Sequence, residues 1–139
     1  SLGEFVHSLS MIKSPTDGKI YSVNHGNFNE FEKGVQDYLL NCRDKEYASR
    51  YIGSLVADYH RNSLKGGIYL YPPTKSHENG KLRLMYECYP LAFLAEQSDA
   101  IATDGKMNIM DIEATDFHQR CPLYIGSKEM VKTLLEHLK

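Results

Sequence analysis

What this sequence lacks narrows its function before any motif is read. No apolar run approaches the roughly 20 residues needed to cross a bilayer as a helix. No basic stretch leads into an apolar one near Ser1, so neither a membrane span nor a signal peptide is expected. Neither sign of charge dominates: 16 Lys and Arg stand against 18 Asp and Glu, a net charge of −2. That balance gives no electrostatic case for nucleic acid or an anionic membrane surface. Cysteine is scarce, with Cys42, Cys88 and Cys121 far apart and no C-x-x-C spacing. The pattern points to free thiols in a reducing cytoplasm and away from a disulfide framework. The six histidines are scattered without an H-E-x-x-H arrangement, and no G-x-S-x-G or Walker-type loop occurs.

What is present is an alternation of short apolar runs and helical periods over 139 residues, a length suited to one domain with a real core. Gly3 to Lys13 is partly alternating and predicts a strand, and S-P-T-D-G at Ser14 to Gly18 is turn chemistry. Lys19 to Val23 predicts a second strand. From Asn29, Phe31, Val35, Tyr38 and Leu39 recur at the spacing of an amphipathic helix, with the polar segment Asn41 to Ser49 as a surface loop. Ser54 can cap a helix whose buried stripe would be Leu55, Val56 and Tyr59, stopped by Gly66 and Gly67. Ile68 to Tyr71 predicts a strand ended by Pro72 and Pro73, which cannot donate to a ladder. Lys81 to Met85 is a further short run, and Pro90 suits the first turn of a helix reaching about Ser98. Ile101 to Thr103 is short and apolar, and Asp104–Gly105 makes a turn. Pro122 to Ile125 is the last strand, and Ser127 caps a closing helix that turns Val131, Leu134, Leu135 and Leu138 inward. Strands alternating with helices predict an α/β fold, a layered domain with a mixed sheet.

Two groups of residues invite a chemical reading. Lys75, Lys81 and Arg83 flank an Asn-Gly turn beside Tyr69, Tyr71 and Tyr86, the mix of fixed cations and neutral donors that a phosphate takes. A solvated basic loop next to core aromatics has the same composition. Asp111, Glu113, Asp116 and His118 lie within eight residues and offer oxygen ligands to a hard cation. Acidic clusters on loops are more commonly just hydrated, and the alternating register breaks before Asp116. Glu87 is a third kind of signal, a lone carboxylate among apolar neighbours, costly unless a cation or a donor compensates it. Cys121 has no base partner nearby in sequence and reads as a buried thiol.

The strings G-K-I-Y-S-V-N (Gly18 to Asn24), S-R-Y-I-G-S-L-V-A-D (Ser49 to Asp58), G-G-I-Y-L-Y-P (Gly66 to Pro72), N-G-K-L-R-L-M-Y-E-C-Y-P (Asn79 to Pro90) and T-D-F-H-Q-R-C-P (Thr115 to Pro122) are more specific than any short motif. In that order and separation they resemble the class I fructose-1,6-bisphosphatases, over Gly3 to Lys139 and matching the C-terminal half of that family's polypeptide. The resemblance implies an α/β/α layered domain of the sugar-phosphatase type, with residues 1–139 as the substrate-binding half. It implies that Asn24, Arg50, Tyr51 and Tyr71 hold the sugar's 6-phosphate, Arg50 from a neighbouring subunit. It implies that Lys81 contacts the sugar phosphate, that Tyr69 lies in the same substrate strand, and that Leu55 stands where some relatives place a methionine against the sugar. Glu87 matches a metal-binding carboxylate, whereas Asp111 to Asp116 match no metal position. Asn27 departs from the pattern, standing where many relatives carry a tyrosine on the phosphate.

The activity implied is Mg2+-assisted hydrolysis of fructose 1,6-bisphosphate to fructose 6-phosphate, by a full-length homotetramer in the cytoplasm. The family's D-P-x-D-G-S-S carboxylate motif is absent from this string, and no methionine precedes Met11, so a processed or truncated product lacking the N-terminal half is expected. One carboxylate cannot cage Mg2+, so the isolated chain is expected to be inactive or nearly so. Two alternatives stand beside this reading: a sedoheptulose-1,7-bisphosphatase fragment, and a stand-alone domain that binds sugar phosphates without hydrolysing them.

Overall fold

The computed structural model describes residues 13–139; the strand expected at Gly3 to Lys13 lies essentially outside them. A mixed five-stranded sheet has the order β2-β1-β3-β7-β5, where β1 is Ile20–Ser22, β2 Ala48–Ser49, β3 Ile68–Tyr71, β5 Ile101–Thr103 and β7 Leu123–Gly126. On one side β2, β1 and β3 run parallel, in the register Ile20↔Ala48 and Tyr21↔Ile68. On the other, β7 is antiparallel to both β3 and β5, pairing Tyr69↔Ile125 and Ala102↔Ile125. A separate antiparallel ladder joins β4 (Leu82–Arg83) to β6 (Arg120–Cys121).

The two faces of β3 explain the layering, because successive side chains of a strand point to opposite sides. Ile68 and Leu70 enter one core with Tyr21, Tyr124, and the inner faces of α1 (Lys33–Asp44) and α4 (Lys128–His137). Tyr69 enters the other with Leu123 and Ile125, beneath Tyr59 of α2 (Leu55–Lys65) and Leu91, Leu94 and Ala95 of α3 (Tyr89–Gln97). Residues such as Leu134, Ile125 and Val131 are completely buried. Each contributes about 1.5–3 kcal/mol of transfer free energy. The result is the expected α/β/α sandwich on a mixed sheet.

Four local expectations need correction. The first helix does not begin at Asn29: a 3-10 segment, His25–Glu30, capped by the Asn24 side chain, precedes α1, and Phe31 is buried from a non-helical position. The polar segment after Asn41 is not all loop. Cys42, fully buried, continues the helical stripe to Asp44, and the amides of Ala48 and Arg50 donate to the carbonyls of Lys19 and Tyr21 to add an edge strand. The buried face of α2 is Asp58, Tyr59, Asn62 and Ser63, while Val56 is 44% exposed. Tyr59 is buried and Leu55 partly so, as expected, but polar side chains fill the rest of that face in place of Val56. Lys81 to Met85 is strand only at Leu82–Arg83; Leu84–Cys88 winds as a π-helix that runs straight into α3.

Two caps show how sequence and tertiary structure divide the work. Ser54 Oγ accepts from the amide of Ala57 at 3.3 Å, satisfying one of the orphan donors at the start of α2. Ser127 stands at the N-cap of α4 without capping it; its Oγ instead accepts from the amide of Gly67 at 3.1 Å and ties β3 to the helix. Gly66 ends α2 at φ 86°, and a Cβ there would lie 2.4 Å from the carbonyl oxygen of Asp17. Only glycine fits both the conformation and the approach.

Candidate functional site

The three parallel strands end side by side, and each end leads into polar residues. After β1 comes Asn24, after β2 come Arg50 and Tyr51, and β3 closes on Tyr71 before the loop that carries Lys81. Ligands in open α/β sheets bind outside such carboxyl ends. A cleft there is lined by Asn24, Asn27, Tyr51, Tyr71, Thr74, His77 and Lys81, over a floor of Phe31, Leu70 and Pro72. Its enclosed volume is about 30 Å3. That is on the order of one or two waters, so the described residues make the floor of a cleft, not a chamber.

Each polar group is held by its own local chemistry. The Oδ1 of Asn24 accepts from the amide of Gly26 at 3.0 Å, which leaves its NH2 as the group that can donate to a ligand. Burial first, then the proximity of Tyr51 and Glu87, raises the Tyr71 phenol above its usual range against a smaller opposing effect of Arg120. At neutral pH it is therefore an uncharged donor. Lys81 follows Gly80, whose φ is 79° and whose place would put a Cβ 2.8 Å from the nitrogen of Pro122. The Asn-Gly turn thus packs on β6 and fixes where the lysine emerges, and Arg120 donates from its guanidinium to the Lys81 carbonyl. Thr74 and His77 close a tight turn with reciprocal amide bonds of 3.1 Å. Ser76 in that turn donates to Glu30 at 3.0 Å, bracing the loop against the 3-10 segment across the cleft.

Of the residues expected from the sequence, the cleft brings together Asn24, Tyr51, Tyr71 and Lys81. Arg50 is exposed beside it, its guanidinium on the carbonyl of Ser49 at 3.1 Å. Leu55 is partly buried against the core under α2 and α3, and Tyr69 is 2% exposed within that core. Burial, reinforced by Tyr51, Tyr71, Asp58 and Glu87, pushes the Tyr69 phenol well up, so its hydroxyl lies under the same electrostatic neighbourhood as the cleft. Lys75 and Arg83 are exposed and do not line the cleft; Arg83 sits opposite Arg120 across the small ladder. Thr74 and His77 carry no distinguishing mark in the sequence. Their only signal is a turn placed between Pro72–Pro73 and a lysine, which marks a loop without saying which side faces a ligand.

Glu87 lies on the π-helix, half-buried, and its Oε1 accepts from the amide of Arg83 at 3.0 Å. Such single-turn insertions are frequent at functional sites. Among the described residues no group of three or more His, Cys, Asp or Glu is placed to hold a metal ion. They therefore do not by themselves fit Mg2+, which needs near-octahedral oxygen coordination. Asp111, Glu113, Asp116 and His118 are all exposed, and Asp116 spends one oxygen on the amide of His118 at 2.9 Å. That cluster is exposed, and among the described residues it forms no group of three metal-ligating side chains. A larger cavity, about 280 Å3, lies on the other side of the Pro72 to Lys81 loop, among Glu32, Asp104, Lys106 and Arg120, away from the cleft.

Residues 14–139 match the family described as fructose-1-6-bisphosphatase, C-terminal domain. The chain belongs to that family. The match spans nearly all of the described structure, so the mixed sheet, both helical layers and the cleft are parts of a bisphosphatase C-terminal domain. The three cysteines of this bisphosphatase domain are free and buried, and burial pushes the Cys42 thiol up to about 11. No helix among the described residues is long and apolar enough to cross a membrane.

Proposed function

We propose that this chain is the substrate-binding half of a cytoplasmic, Mg2+-dependent fructose-1,6-bisphosphatase that forms a homotetramer at full length. The observation that carries the reading is the convergence of Asn24, Tyr51, Tyr71 and Lys81 on one cleft in a domain of that family. Lys81 supplies a fixed positive charge, and Asn24, Tyr51 and Tyr71 supply neutral donors to the 6-phosphate, which does not react. Gripping the remote phosphate orients the reacting end and discriminates against sugars that lack it. Arg50 serves a neighbouring subunit's cleft, and Leu55 and Tyr69 shape the ground beneath the sugar. Glu87 offers one carboxylate to Mg2+, an ion whose chemistry is to polarise phosphoryl oxygens. The described residues do not complete that ion's shell, and its remaining ligands would come from an N-terminal half.

Calorimetric titration with fructose 6-phosphate tests the cleft. Saturable binding that Lys81→Ala weakens supports it, and unchanged affinity in that variant contradicts it. Sequencing the coding region upstream of Ser1 tests the domain assignment. An in-frame D-P-x-D-G-S-S carboxylate motif is expected; a start site directly upstream would instead make this a stand-alone binding domain. Comparing turnover of fructose and sedoheptulose bisphosphates by the full chain then fixes the sugar. The 139-residue chain alone is expected to release no phosphate at the ordinary enzymatic rate of about 1–10³ s⁻¹.

A further inference from the structure

Asp58 is the most completely buried carboxylate among the described residues, 0% exposed, yet it points at no ligand. It faces the loop that carries Arg50 and Tyr51. The amide of Ile52 donates to its Oδ1 at 3.0 Å and its Oδ2 at 3.1 Å, and the amide of Gly53 to Oδ2 at 3.2 Å. Two successive backbone amides gripped by one buried carboxylate are the strong, charge-assisted kind of hydrogen bond. The charge is balanced by Arg61, one helical turn on, whose Nη2 is 3.0 Å from Asp58 Oδ1. The same nitrogen lies 2.8 Å from Ser22 Oγ and 2.9 Å from the carbonyl oxygen of Arg50. Asn62 adds a donor to Ser22 Oγ at 3.1 Å.

The network therefore reaches both walls of the cleft from behind. Ser22 is the last residue of β1, two before Asn24; Arg50 and Ile52 flank Tyr51. We propose that Asp58 and Arg61 are positioning residues that set the spacing between the Asn24 wall and the Tyr51 wall of the cleft, without touching the ligand. This rests on the sugar-phosphate reading of that cleft. It assigns a function to the polar inner face of α2, which packing alone would fill with apolar side chains. An aliphatic face would bury as much surface but hold neither the amides of the loop nor the end of β1.

The discriminating variant is Arg61→Lys. Lysine keeps the positive charge beside Asp58 but is shorter, so its ammonium cannot occupy the place of Nη2 without strain. It also lacks the Nε–H that donates to Asn62 Oδ1 at 3.3 Å. Asp58→Asn is the harsher companion, since it leaves the guanidinium without its counter-charge. Hydrogen exchange and fructose 6-phosphate titration are measured on the full chain as its gene encodes it. The amides of Ile52 and Gly53 are expected to exchange about tenfold faster in Arg61→Lys, with those of β3 and β7 unchanged and the melting temperature nearly so. Affinity for fructose 6-phosphate is expected to fall about five- to tenfold. A purely structural role would instead lower protection throughout, or lower the melting temperature with affinity per folded molecule intact. Either result overturns the proposal, as does wild-type protection of Ile52 and Gly53 in Arg61→Lys. If Lys81→Ala weakens binding while Arg61→Lys does not, the cleft stands and the positioning role falls. If Lys81→Ala leaves affinity unchanged, the cleft itself is wrong, and the exchange rates of the loop still decide whether the clamp exists.

Discussion

The two halves of the sheet share the same two cores and differ in what their strand ends carry. On the parallel side, β1, β2 and β3 end together in Asn24, Arg50–Tyr51 and Tyr71, and the loop after β3 returns Lys81 to them. On the antiparallel side, β5 runs into a turn where Asp104 Oδ1 accepts from the amides of Lys106 and Met107 at 2.8 and 2.9 Å, and β7 runs into α4 through Ser127. Those side chains are consumed by the backbone. Parallel strands align their carboxyl ends and gather chemistry at one edge, whereas antiparallel strands spread their ends and leave turns. On the proposed reading, ligand binding falls to the first half and the second supports it.

The sharpest way to break that comparison is to damage the supporting half. Leu134→Ala empties a fully buried site on α4 and is expected to cost about 2–5 kcal/mol of stability in urea unfolding. Affinity of the molecules that remain folded should not change. Cys42, in the same core and held as a neutral thiol, should become accessible to alkylation at pH 8 in proportion to that loss. The complementary change is Lys81→Ala. It removes a charged donor from the cleft and is expected to weaken fructose 6-phosphate binding about 10- to 100-fold, with a melting temperature near that of the wild type. A variant that moved both quantities together would erase the distinction between the halves.

Smaller effects sharpen it further. Ser54→Ala deletes the cap of α2, the helix that carries the Asp58–Arg61 network, and should cost about 1 kcal/mol with only a modest change in affinity. Neutralising the exposed acidic loop, with Asp111→Asn and Glu113→Gln together, should change stability by no more than about 0.5 kcal/mol and leave binding untouched. A change in magnesium or ligand affinity in that double variant would restore the loop as a site.

How much of the fold the sequence discloses depends on how local the determining forces are. Ile68–Tyr71 is legible because four apolar residues stand between a glycine pair and a proline pair. Gly66, Pro90 and the apolar period of α4 are equally direct. The start of α1 is not, because Phe31 fits the helical spacing while its burial comes from outside the helix. Strand β2 exists only because Lys19 and Tyr21 offer carbonyls to a polar segment, a tertiary fact with no local trace. The inner face of α2 escapes hydrophobic periodicity apart from Tyr59 and Leu55, since Asp58 is buried against the loop, Asn62 against β1 and Ser63 on the carbonyl of His60. At the cleft, Tyr71 and Lys81 belong to a group that residue chemistry already marks, whereas Asn24 and Tyr51 come only from family resemblance. Residue chemistry alone offers an acidic loop of comparable appeal, and what separates the two is that Asn24, Tyr51, Tyr71 and Lys81 line one cleft while the acidic residues do not.

The most direct measurement is backbone and side-chain amide chemical-shift mapping during titration of the full chain with fructose 6-phosphate. The account predicts saturable shifts centred on Asn24, Tyr51, Tyr71 and Lys81, with the segment 111–118 silent. Shifts concentrated in that segment or around Asp104 and Lys106, with the cleft unmoved, would contradict it.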